Sequence, residues 1–169
     1  MAGRPEEAIY RFLDTNGDGS GTQNAVGDYS GTAEEFYYQP PRNTELHRMV
    51  IHITDTAGIS QAEYGNLGSA LTNGYSLVVK DESGAQVNDL CDGIPIKSNA
   101  DFGRYCYDVE LKSWTNTPAN ETVQVRWTFA KAGFPLYLPA NYQLSITFND
   151  NLSGLIEHYF MLQGYETTT

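Results

Sequence analysis

The chain has 169 residues, 18% of them charged and 12% aromatic, with twelve tyrosines and sixteen glycines, a composition that points to an all-β fold. A formal charge of -11 without any run of Lys and Arg argues against a nucleic-acid partner, because phosphate binding needs clustered cations. No apolar run approaches the ~20 residues of a membrane-spanning helix, so no membrane partner is expected either.

Taken in order, residues 1–7 are polar, include Pro5, and read as an N-terminal arm. Residues 8–13 (AIYRFL) predict a first strand, and 14–32 a long polar loop that opens on DTNGDGSGT. Connections of that length are usually functional or poorly ordered. Residues 34–39 (EEFYYQ) predict a short aromatic strand stopped by Pro40 and Pro41. In 45–55 (ELHRMVIHITD), Met49, Ile51 and Ile53 share one face and Leu46, Arg48, Val50 and His52 the other.

Residues 56–74 are rich in Gly, Ala, Ser and Asn; Ser60 and Glu63 have capping-box spacing for a turn or two of helix. A strand over 75–80 follows, with Tyr75, Leu77 and Val79 inward, then a turn and a weaker run over 87–96. Residues 104–111 (RYCYDVEL) alternate as a strand. The cleanest alternation lies in 121–129 (ETVQVRWTF) and 142–149 (YQLSITFN), and residues 155–163 predict the last strand. Together these predict a single antiparallel β-sandwich, jelly-roll-like, with an N-terminal arm and long polar loop. The boundaries are 1–33 for arm, first strand and loop, 34–165 for the sandwich and 166–169 for a tail, all in one globular domain.

The loop places Asp14, Asn16, Asp18 and Ser20 at alternate positions with Gly19 among them, like the first half of an EF-hand calcium loop. Its twelfth position is Ala25 rather than a bidentate Glu, and Asp28 is the nearest carboxylate that could complete a Ca²⁺ site. The same residues also read as an ordinary Gly-Asp-Asn turn. His47 and His52 are five apart and fall on opposite strand faces unless a bulge intervenes, while His158 reads as a hydrogen-bonded core or interface histidine. Asp108 and Glu110 share a strand face about 7 Å apart, an ordinary wet-face pair as readily as an acid–base one.

No nucleophile elbow, phosphate loop, dinucleotide fingerprint or zinc-protease motif occurs, so an enzyme is not expected. Cys91 and Cys106 read as two ordinary thiols of a reducing compartment, since the N-terminus MAGRPEEAIYRF has no apolar signal core. Tyr10, Phe12, Phe36, Tyr37 and Tyr38 are the candidate interface anchors, packed either against a partner or as a lid on the sandwich. Trp114, beside a Thr-Asn-Thr-Pro turn, could stack on a sugar.

The segments YRFLDTNGDGSGTQNAVGDYS (10–30), EYGNLGSALTNG (63–74), VRWTFAKAG (125–133) and FNDNLSGLIEHYFMLQGY (148–165) span nearly the whole chain. In them the chain resembles small structural proteins of tailed bacteriophages, marine ones especially. The resemblance implies a virion component on the capsid surface, made in the host cytoplasm. Its kind would be a decoration or cement protein that binds the major capsid protein, forms a homotrimer and grips the shell with its N-terminal arm. No contact residue carries over individually. The alternative is a carbohydrate- or receptor-binding β-sandwich of a tail or fibre, assisted by Ca²⁺.

Overall fold

The alternating runs become strands in a computed structural model that describes residues 6–56, 59–105, 120–129 and 134–167. These strands are β1 (Glu6–Phe12), β2 (Glu34–Tyr38), β3 (Thr44–Thr56), β4 (Val78–Lys80), β5 (Gln86–Asp89), β6 (Asn120–Thr128), β7 (Leu136–Leu138), β8 (Gln143–Phe148) and β9 (Glu157–Thr167). They form two antiparallel sheets, ordered β1-β9-β3-β6 with β7 also on β3, and β2-β8-β4-β5. Successive strands cross between the sheets except at β4–β5 and β6–β7, in the wiring of a jelly roll.

The two cleanest alternating runs lie in different sheets, β6 in one and β8 in the other. They do not pair; their apolar faces meet across the core. Val123, Val125 and Trp127 come from β6, with Leu144, Ile146 and Phe148 from β8, all buried. Met49, Ile51, Ile53, Phe160 and Leu162 complete the inner face of the larger sheet, and Phe36, Tyr38, Leu77 and Val79 that of the smaller. Each such side chain contributes about 1.5–3 kcal/mol by leaving water, which is why the period-two pattern dictates the layers.

Three expectations change. The last strand starts at Glu157 and runs to Thr167, so residues 166 and 167 are not a tail. Glu166 is buried, accepting the Tyr38 hydroxyl at 2.6 Å with the Arg11 guanidinium 4.0 Å away. A carboxylate at an inward position, tolerated because it has these partners, hid the strand's end from its pattern. The first strand also starts earlier than expected: Glu6 and Glu7, read as the end of the arm, belong to β1 and pair with Thr167 and Glu166, and β1 follows β9 to Phe12 opposite Met161. Finally, Phe102–Tyr105 forms a helical turn, α1, entered from a 3₁₀ turn at Asn99–Asp101. The strand expected from Arg104 therefore does not begin there, and the rest of it, 106–111, lies outside the described residues, as does Trp114.

A bulge redirects β3. Leu46 pairs with Gly164 and Arg48 with Gln163, leaving His47 as the extra residue. Leu46 thereby joins Met49 and Ile51 inside instead of Arg48 and Val50 outside. Gly164 permits this, because a Cβ there would lie 2.1 Å from the Glu45 carbonyl oxygen. Gly164→Ala should force the two central strands apart and cost about 1–3 kcal/mol, read as a lower urea midpoint. An unchanged midpoint would mean that the bulge relaxes freely.

Candidate functional site

The polar loop closes on its own side chains. The Asp14 carboxylate is buried and accepts the backbone N–H groups of Gly17 and Gly19, the latter at 2.8 Å. Burial raises its carboxyl above the ordinary value, against the pull of those two N–H groups. Asp18 accepts from Asn16 Nδ2 at 3.0 Å and from the Ser20 N–H at 2.7 Å. Asp28 belongs to a different turn, bridged to Asn151, where its Oδ1 accepts from the Ser30 N–H and hydroxyl. Among the described residues no group of three His, Cys, Asp or Glu stands close enough to hold a metal. The loop's oxygens serve the loop: they pin it over β2, where Gly17 lies against the Tyr37 ring and Gly19 against Tyr38 and Arg11.

The five candidate anchors separate. Phe36 and Tyr38 are core residues, Phe36 packed edge-on to Phe148 at 5.8 Å, and they leave no surface for a partner. Tyr37 is half-buried on the outer side of the smaller sheet. Tyr10 and Phe12 face outward from the larger sheet, and there they meet residues that the sequence pattern left aside. β9 presents Tyr159, Met161, Gln163 and Tyr165 outward, because His158, Phe160 and Leu162 take the inner positions. β3 presents His47, Arg48, Val50 and His52 beside them.

Register orders these side chains into rows across the sheet. Ala8, Tyr165, Glu45 and Tyr137 form the first; Tyr10, Gln163, Arg48 and Thr128 the second. Phe12, Met161, Val50 and Arg126 form the third, followed by Tyr159, His52 and Gln124. Phe12 meets Tyr159 edge-on at 5.9 Å, and His52 stacks on Tyr159 at 4.7 Å. Val50 is only 7% exposed although it faces outward, whereas Tyr10 and Tyr165 are 65% and 43% exposed. The signal was available in sequence: within 157–167 the aromatic and sulfur side chains alternate just as cleanly on the outer positions.

The histidines do not make a reaction centre. The bulge brings His47 onto the same outer face as His52, but four strand steps separate them by about 13 Å, too far to share a ligand. His52 Nε2 meets Thr54 Oγ1 at 3.0 Å and Glu157 at 3.3 Å, while its Nδ1 is buried with no partner among the described residues. A base activating Thr54 would need the carboxylate on Nδ1, to orient the ring and stabilise its charge. Burial moreover lowers its pKa, against the pull of Glu157. His158 is fully inside: Nδ1–H donates to the Ala25 carbonyl at 3.1 Å, so Nε2 accepts from Tyr64 Oη at 2.7 Å. The Tyr64 oxygen in turn accepts from the Tyr75 hydroxyl at 2.9 Å. This chain is shut off from solvent and ties β9 to two loops. The Cys91 thiol, pushed up to about 11 by burial, is no nucleophile; Cys106, Asp108 and Glu110 lie outside the described residues.

No family model matches the chain. No curated protein matches it. Two crystal structures of a CocE/NonD family hydrolase from Staphylococcus aureus align with it at 9% and 10% identity, with TM-scores of 0.40 and 0.39. The alignments cover 96% of this chain but 35% and 36% of the hydrolase, so the chain spans about a third of that protein's length. Likeness at this level carries nothing about activity.

Proposed function

We propose that the chain is a bacteriophage virion protein of the capsid-decoration or cement kind, which stabilises the outer shell by protein–protein contact. The major capsid protein is its partner in this reading, and a homotrimer its working form. The observation that supports it most is the outer face of the larger sheet. A sheet face meant only for water alternates apolar-in and polar-out, yet here Phe12, Met161 and Val50 make an apolar row on the outside, bordered by Tyr10 and Tyr159, with Tyr165 one row beyond Tyr10. Tyr, Met and Arg at the centre with few Lys and Glu is the composition of a contact surface.

Size adds a constraint. Three strands and four rows give roughly 14 by 27 Å, or on the order of 400 Å². A standard interface uses about 800 Å² per partner. The face therefore supplies about half, and the N-terminal residues or subunit contacts within a trimer have to supply the rest. Quantitative mass spectrometry of purified virions tests the proposal: copies should be stoichiometric and match lattice positions. A handful per particle would move the protein to a tail or fibre. A carbohydrate- or receptor-binding role, the alternative, rests on the concavity at the His47 bulge.

A further inference from the structure

The bulge in β3 leaves a concavity of about 390 Å³ on the outer face, at the first two rows. It is at the small end of ligand sites, the right scale for one sugar residue rather than a folded partner. Tyr10 and Tyr165 stand on its rim as diagonal neighbours on β1 and β9. Both are well exposed, and the edge of the His47 ring, 5.4 Å from Tyr165 at 75°, holds that phenol in place. Gln163 and Thr128 add side-chain amide and hydroxyl groups to the lining.

Arg48 decides the charge. Its guanidinium forms no ion pair among the described residues. The lining contains no Asp or Glu, although the chain carries 21 acids against 10 bases. Glu45 stands opposite Tyr165 on β3 but outside the lining. An unpaired guanidinium in an acid-free pocket selects a carboxylate, which it can hold through two parallel N–H bonds. Aromatic walls select a ring with an apolar face, and the amide and hydroxyl select a ligand bearing hydroxyls. An isolated phosphate would leave the tyrosines idle, and so would the side chain of an acidic peptide.

We propose that this concavity binds a single carboxylated sugar residue of the uronic-acid type: Arg48 takes the carboxylate, Tyr10 and Tyr165 flank the ring, and Gln163 meets the hydroxyls. The site shares Tyr10 and Tyr165 with the contact face of the virion reading but does not rest on it, since sugar binding is measured on the free chain and copy number on the particle.

The test titrates the full chain with galacturonic acid, with galactose, which differs in lacking the carboxylate, and with a short glutamate peptide, following backbone amide shifts by NMR. Galacturonic acid should shift amides around residues 8–10, 47–48 and 163–165 and bind at least about tenfold more tightly than either other probe. Arg48→Gln should remove that preference and leave the melting temperature unchanged, and Tyr165→Ala should weaken binding about tenfold. Equal binding of galactose would overturn the role of Arg48, and equal binding of the peptide would overturn the sugar. No shift at about 100-fold excess over a millimolar site, well past saturation, would overturn the site itself.

Discussion

Replacing His158 by alanine is expected to lower folding stability by about 4 kcal/mol, the largest single-residue effect in the molecule. The imidazole is fully buried, so its removal leaves a cavity among Phe148, Phe160 and Tyr64, whose rings lie 4.8–5.5 Å from it. It also strands two polar groups inside the protein, the Ala25 carbonyl and the Tyr64 hydroxyl. Urea unfolding measures the loss. His158→Gln separates the two contributions, because an amide can donate to Ala25 and accept from Tyr64 while remaining uncharged.

The same residue sets an acid limit. Burial lowers its pKa from 6.5 to about 3. Below pH 6.5 the unfolded chain takes up a proton that the native chain refuses until about pH 3. Stability is therefore untouched by this group above pH 6.5 and falls as pH falls through that window. Between pH 6.5 and 5 the loss amounts to about 2 kcal/mol. Carboxylates contribute to the pH dependence too, so the readout is a difference: wild type should lose about 2 kcal/mol more than His158→Gln between pH 7 and 5. Parallel pH profiles for the two proteins would sink the account.

Asp150→Ala is the second large effect, expected at about 3 kcal/mol. The Asp150 carboxylate, 6% exposed, accepts three consecutive backbone N–H groups, from Thr72 at 2.8 Å, Asn73 at 3.0 Å and Gly74 at 2.9 Å. It thereby ties the loop before β4 to the end of β8, more than 70 residues away in sequence. Asp150→Asn keeps one acceptor oxygen and should lose roughly half as much. Hydrogen exchange gives the specific signature: those three amides should exchange faster in the alanine variant, beyond any global change. Wild-type exchange at all three would show that something else holds the loop.

The layers of the sandwich were legible because water enforces period two on any half-buried strand. Val123, Val125 and Trp127, or Leu144, Ile146 and Phe148, could hardly be placed otherwise. Which strands pair was not legible, since β6 and β8 carry equally clean patterns and yet sit in opposite sheets. The bulge at His47 was also invisible: it costs one residue of register, and only the backbone approach at Gly164 reveals it. Of the candidate surface, Tyr10 and Phe12 were legible as aromatics without a core period. Tyr159, Met161 and Tyr165 carry an equally clean alternation, but a strand apolar on both sides gives its core face away first, and their pattern is overshadowed by that of His158, Phe160 and Leu162. In the polar loop the spacing of oxygens was plain, but their engagement with Gly17, Gly19 and Ser20 depends on how the chain folds back.

The place of β9 between β1 and β3 also imposes an order on biosynthesis. β9 leaves the ribosome after every other described strand, and its 11 residues supply, among the described residues, the one sheet neighbour of β1 and one flank of β3. The smaller sheet, β2-β8-β4-β5, is complete by Phe148 and can assemble while translation continues. The larger one cannot. Throughout synthesis the β1 segment, with Tyr10 and Phe12, waits as an unpaired aromatic strand, the kind of edge that neighbouring nascent chains can capture. Among the described strands, the outer face of the larger sheet is thus the last surface to be completed.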